Sequence, residues 1–157
     1  MKKLSLLLFL LIPFFSFSQN NLKDLVGNWS GKGKMLDKDI NLSLSTTSMS
    51  NFQFLEIKID EDPISARLSG SALLSFDTET NTYVVNWTEK IMGVSSEAFG
   101  KVELLGETIN LVFNDDYRNF VCKFVFNSRE NNWAFSYNQF SNNKKTVLID
   151  AIFEKKK

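Results

Sequence analysis

Between Gly27 and Glu154 apolar residues recur at every second position in short runs broken by polar stretches, and no long stretch repeats at helical spacing. A chain that alternates in this way buries one face of each segment and wets the other, as antiparallel strands do around a single core. Leu68, Gly70, Ala72, Leu74 and Phe76 share one face, followed by Tyr83, Val85, Trp87 and Glu89. Later runs repeat the pattern with Ile109, Leu111 and Phe113, then Phe120, Cys122, Phe124 and Phe126, then Trp133, Phe135, Tyr137 and Gln139. The last run has Val147, Ile149, Ala151 and Phe153 on one face. Polar or Gly-containing turns separate about ten such segments, which predicts an all-β, single antiparallel up-and-down β-barrel. Between Phe54 and Leu55 the apolar parity switches, so a bulge is expected near Phe54.

The first segment, Leu25 to Met35, places Gly27, Trp29, Gly31, Gly33 and Met35 on one face. A single indole among residues without side chains suits a strand that bends and plugs one end of a barrel, with Gly27 and Trp29 as the plug. These glycines do not fit the spacing of a phosphate-binding loop, and no helical pattern follows them. Before them, Asn20 to Asp24 reads as a lead-in of about one helical turn. Farther along, the small residues Gly70 and Ala72 are expected to leave room inside.

At the N-terminus Lys2-Lys3 precede an apolar run from Leu4 to Phe17, and Ser16 and Ser18 offer small residues before a cleavage at Gln19. Residues 1–18 are therefore expected to be a cleavable signal peptide and 19–157 the barrel domain, periplasmic or secreted. The run is too short for a membrane span and contains Pro13, so none is expected in the mature form. The whole chain has 18 basic and 18 acidic residues, so loss of Lys2 and Lys3 leaves 16 against 18. Such a balance does not attract nucleic acid. The acidic turn Asp60-Glu61-Asp62-Pro63 lacks the ligand alternation of a calcium loop, and no metal site is expected there.

The chain has no His and one Cys. That excludes Ser/His/Asp and Cys/His nucleophiles and Cys/His zinc sites. Cys122, alternating with Phe residues, is expected as a buried, inert thiol. A carboxylate could still act as acid or base, and Glu89 is the acid that parity puts beside inward aromatics. It reads more readily as a polar group at the barrel mouth, because the strand ends within a few residues. The preferred expectation is a non-catalytic barrel without cofactor, binding a small hydrophobic or amphipathic molecule. Tyr83, Trp87, Phe99, Trp133, Phe135 and Tyr137 would supply aromatic walls, and Glu89 and Gln139 polar contacts near the rim. The alternatives are a structural or partner-binding domain with a filled core, in which the same aromatics are packing, and a carboxylate-using isomerase or hydrolase. Oligomeric state is left open.

Gly27-Asn28-Trp29 at the start of an all-β chain resembles the Gly-x-Trp that closes the floor of lipocalin-like, or calycin, barrels. The segment from Asp77 to Gly93, with its turn, Tyr83, Trp87, Glu89 and Gly93, is similar to one in a bacterial lipocalin-like family of uncharacterised function. Together these imply a lipocalin-like barrel over most of Leu22 to Lys155. The Gly-x-Trp-x-Gly-x-Gly opening also resembles nitrobindin-type haem barrels. Those hold iron through a proximal His, which this chain lacks.

Overall fold

In the computed structural model, which describes residues 22–61, 68–114, 119–142 and 144–156, the chain forms ten strands. They are β1 (Gly27–Met35), β2 (Lys38–Met49), β3 (Phe54–Glu61), β4 (Leu68–Asp77), β5 (Thr82–Ile91), β6 (Val94–Leu105), β7 (Thr108–Asn114), β8 (Asn119–Asn127), β9 (Asn132–Ser141) and β10 (Lys144–Lys155). Each pairs antiparallel with its neighbours in sequence, and β1 pairs with β10 from Trp29↔Lys155 to Met35↔Ile149, so the sheet closes. Closure joins the first strand to the last, and β7 pairs with β6 over Lys101 to Leu105. The expected leader, residues 1–18, and the stretch from Asp62 to Arg67 of the acidic turn and its sequel lie outside the described residues.

All odd-numbered strands run in one direction, so the start of β1 and the end of β5 lie at opposite ends of the barrel. At the β1 end a helical turn over residues 22–25 buries Leu22 and Leu25 completely. The Trp29 indole lies beneath, 1% exposed, and its N–H donates to the Leu25 carbonyl at 2.9 Å. The Lys155 ammonium stands 5.4 Å from the indole centroid. One ring thus binds the lead-in, the first strand and the last into a floor.

Two details of register differ from the sequence expectation. No bulge occurs near Phe54, and β2 and β3 pair without interruption from Leu42↔Glu61 to Met49↔Phe54. The parity switch comes from the turn before β3, where Ser50, Asn51 and Phe52 all have positive φ. Phe52 belongs to that turn and packs on the core, whereas Phe54 begins the strand facing outward. An irregularity does occur in β10, between Val147 and Ile149 opposite Asn138 and Tyr137. It turns Val147 outward, 47% exposed, and lets Leu148 pack against the core.

The room expected over Gly70 is taken. A Cβ at Gly70 would lie 2.8 Å from two ring carbons of Trp87, and one at Gly31 would lie 2.6 Å from the Phe153 ring. A β-carbon of the size of Ala's does not fit at either place, so each glycine is the counterpart of an inward aromatic. Phe113 stacks on Phe120 at 4.3 Å, Phe120 meets Tyr137 edge-on at 5.0 Å, and Phe124 packs on Phe135 at 4.9 Å. Each buried ring stabilises the fold by roughly 1.5–3 kcal/mol through area alone.

Candidate functional site

Glu89 organises the polar part of the interior, at the end away from Trp29. It lies two residues before the end of β5, on the same inner face as Trp87, and is half-buried. Strand pairing sets Ser96 of β6 directly opposite it. Its Oε2 accepts the Trp87 indole N–H at 2.8 Å, and its Oε1 accepts the Ser96 hydroxyl at 2.9 Å and the Tyr137 hydroxyl at 3.3 Å. Three protein donors therefore converge on one carboxylate. Such a group is a polar tie between β5, β6 and β9.

A cavity of about 10 Å³ adjoins it, lined by Ile59, Leu68, Gly70, Trp87, Glu89, Phe135, Tyr137 and Ile149. That volume is about one water molecule. Cys122, fully buried on the inner face of β8, has its thiol pKa pushed well up, first by burial and second by the nearby charge of Glu89.

The residues singled out from sequence do not gather in one place. Trp87, Glu89, Phe135 and Tyr137 meet around the small cavity. Tyr83 is buried near the opposite end, donating its hydroxyl to the Phe52 carbonyl at 2.7 Å and meeting Phe76 edge-on, and burial raises its pKa. Trp133 is fully buried on β9 at the same end, its ring 5.0 Å from Phe126 and its indole N–H without a hydrogen-bond partner. Gln139 is exposed near the rim, two residues before the end of β9. Gly27 and Trp29 form the floor already described.

Phe99 does not line the interior. It is 71% exposed on the outer face of β6, because Ala98 and Val102 take the buried parity of that strand. Ala98 pairs with Trp87, and the Phe113 ring lies 2.7 Å from where a Gly100 Cβ would stand, so the inner side of β6 has no space for a ring. Ser96 was not singled out from sequence; its role depends on the β5–β6 register, which puts it beside Glu89.

Phe99 belongs instead to an outer surface. Leu73 of β4 and Phe99 of β6 both pair with Asn86 of β5, so they flank it in one row across three strands. Val84, one outward position along β5, is 46% exposed, Leu73 43%, and Phe54 on β3 42%. Toward the Glu89 end the same face becomes a polar open groove of about 620 Å³ whose lining includes Lys58, Ser69, Ser71, Thr88, Lys90 and Glu97. Apolar side chains beside a hydroxyl-lined groove make this face unlike a uniformly solvated barrel wall.

Among the described residues no group of three or more His, Cys, Asp and Glu side chains is placed to hold a metal ion, and no helix is long and apolar enough to cross a membrane. The closed antiparallel ten-strand barrel is consistent with a lipocalin-like fold. No protein-family model matches the chain, and no curated protein matches it significantly.

Proposed function

We propose that the protein is an exported, non-catalytic binding barrel that engages a partner through the outer face of β3 to β6, its interior serving as packed core. The observation that carries this is the occupied interior: Trp87 covers Gly70, the Glu89 carboxylate is engaged by three protein donors, and the adjoining cavity is about 10 Å³. Ligand sites for drug-sized molecules run to about 300 Å³ or more. Recognition on this face is assigned to its side chains, and Phe99, Leu73, Val84, Phe54 and, at the end of β6, Leu105 are large apolar residues exposed there. Export rests on the sequence of residues 1–18. N-terminal sequencing of the mature protein is expected to begin at Gln19.

The test is site-specific photo-crosslinking in the native host, with the photoreactive residue at position 99 or, as control, at Ile152 on the outer face of β10. A discrete adduct from position 99 and none from position 152 supports the reading. No adduct from 99, or the same adducts from both, overturns it.

A second reading keeps a small hydrophobic or amphipathic ligand inside the barrel, its polar end on Glu89 and Tyr137. The favouring observation is that the small cavity touches both residues and the aromatic wall of Trp87 and Phe135. Such a ligand requires the Trp87 indole to leave Gly70, so binding would change tryptophan fluorescence. A fluorescence-silent titration with medium-chain fatty acids and aromatic amines counts against it.

A further inference from the structure

We propose, resting on the reading of this outer face as an interface, that its partner is a second copy of the same chain, packed about a two-fold axis that crosses the strands at Phe99. On β6 the outward positions run Glu97, Phe99, Lys101, with Ala98 buried between the first two. A two-fold axis across the strand at Phe99 maps each outward residue onto its mirror position along the strand. Phe99 then meets Phe99 of the second copy, and Glu97 meets Lys101 of the second copy, twice over.

The neighbouring strands accept the same axis. Because Leu73, Asn86 and Phe99 share one row, the axis also passes Leu73 and Asn86, setting Leu73 against Leu73 of the second copy. One outward position away, β4 offers Ser71 and Ser75 and β5 offers Val84 and Thr88, so no like charges meet on either strand. An axis running along β5 would instead bring Lys90 onto Lys90 of the second copy. The self-complementary, isologous arrangement is therefore the one that crosses the strands. Glu97 already accepts from the Asn86 amide at 2.9 Å, which holds it toward this row, whereas Lys101 reaches Glu103 at 3.0 Å, two residues farther along β6, and exchanges that partner for Glu97 of the second copy on association.

A barrel wall is convex, which confines contact to about three strands and keeps the interface below the roughly 1,000 Å² of a stable complex. The dimer is accordingly weak, and its apolar centre dominates its energy.

The experiment is sedimentation equilibrium of the mature chain over a concentration series up to the solubility limit, with circular dichroism to confirm folding of each variant. Wild type is expected to show concentration-dependent dimer, and Phe99→Ser to weaken it at least about tenfold, the loss of one buried anchor. Glu97→Lys and Lys101→Glu, each alone, face like charges across the axis and are expected to be monomeric. Mixed in equal amounts they are expected to form a heterodimer, because both contacts are then oppositely charged. Wild type that stays monomeric throughout, or folded charge variants that fail to associate when mixed, overturns the inference. A position-99 photo-adduct with a mass other than that of a dimer overturns it too, while leaving the outer-face reading standing.

Discussion

Adding one methyl group at Gly70 is expected to destabilise the barrel, and the same methyl group is expected to stabilise it once the Trp87 indole has been removed. In the native protein the new Cβ would lie 2.8 Å from Cη2 and Cζ2 of Trp87, against 3.4–4 Å for an ordinary contact. Neither partner gives easily: the indole is held by its bond to Glu89, and Gly70 is fixed in the β4 ladder between Ile59 and Glu89. Overpacking of this kind costs about 1–3 kcal/mol. Replacing Gly in a strand returns about 0.5–1 kcal/mol through the unfolded chain, so Gly70→Ala should cost up to about 2.5 kcal/mol net. Trp87→Ala alone should cost about 3–5 kcal/mol. On that background only the Gly term remains, and Gly70→Ala should stabilise by about 0.5–1 kcal/mol. Urea unfolding of the four proteins in the cycle measures the coupling, expected at about 1–3 kcal/mol. A Gly70→Ala effect of the same sign and size in both backgrounds would show that the indole does not occupy this space, and the filled interior would lose its main support.

Glu89→Gln leaves one acceptor oxygen where two serve three donors, and should lower unfolding free energy by about 1–3 kcal/mol in urea melts. Trp29→Phe keeps most of the packed ring but removes the donor to the Leu25 carbonyl; a loss of about 1–3 kcal/mol is expected, with residues 22–25 exchanging amide hydrogens faster than in wild type. Cys122 should resist alkylation in the native state and react fully in denaturant. Because its folded pKa is raised, its neutral form contributes stability that is complete below the unfolded value, near 9.0, and is lost as the pH rises above it. Thermal melts between pH 8 and 10.5 should therefore fall more steeply for wild type than for Cys122→Ala.

Much of this architecture is visible in the alternation alone. Alternation marks the inner faces of β5, β8 and β9, where large side chains dominate every second position, and that of β4, where Leu68, Leu74 and Phe76 flank the small Gly70 and Ala72; the lone indole among glycines marks the floor. A barrel was expected from about ten short segments at regular turn spacing and from the Gly-x-Trp resemblance, and the pairing of β1 with β10 closes it. What parity could not reach were positions where the inner residue is small. On β6 the buried side is Ala98 and Val102, so Phe99 reads as the core residue although it faces water. Ser96 is a serine like any other until the register sets it opposite Glu89. Gly70 and Ala72 suggested empty space because a sequence shows missing side chains on one strand and not the Trp87 ring that comes from the next. The turn before β3 reads as a bulge in the sequence for a related reason: both shift parity by one, and only backbone φ separates them.

Native mass spectrometry of the protein purified from its own host tests the central claim most directly. With the barrel packed by its own side chains, the chain is expected to fly at its sequence mass, alone or as a weak dimer, with no additional small molecule. A stoichiometric adduct of a few hundred daltons, released on denaturation, would mean that the interior opens to a ligand and that the Trp87 seal over Gly70 gives way.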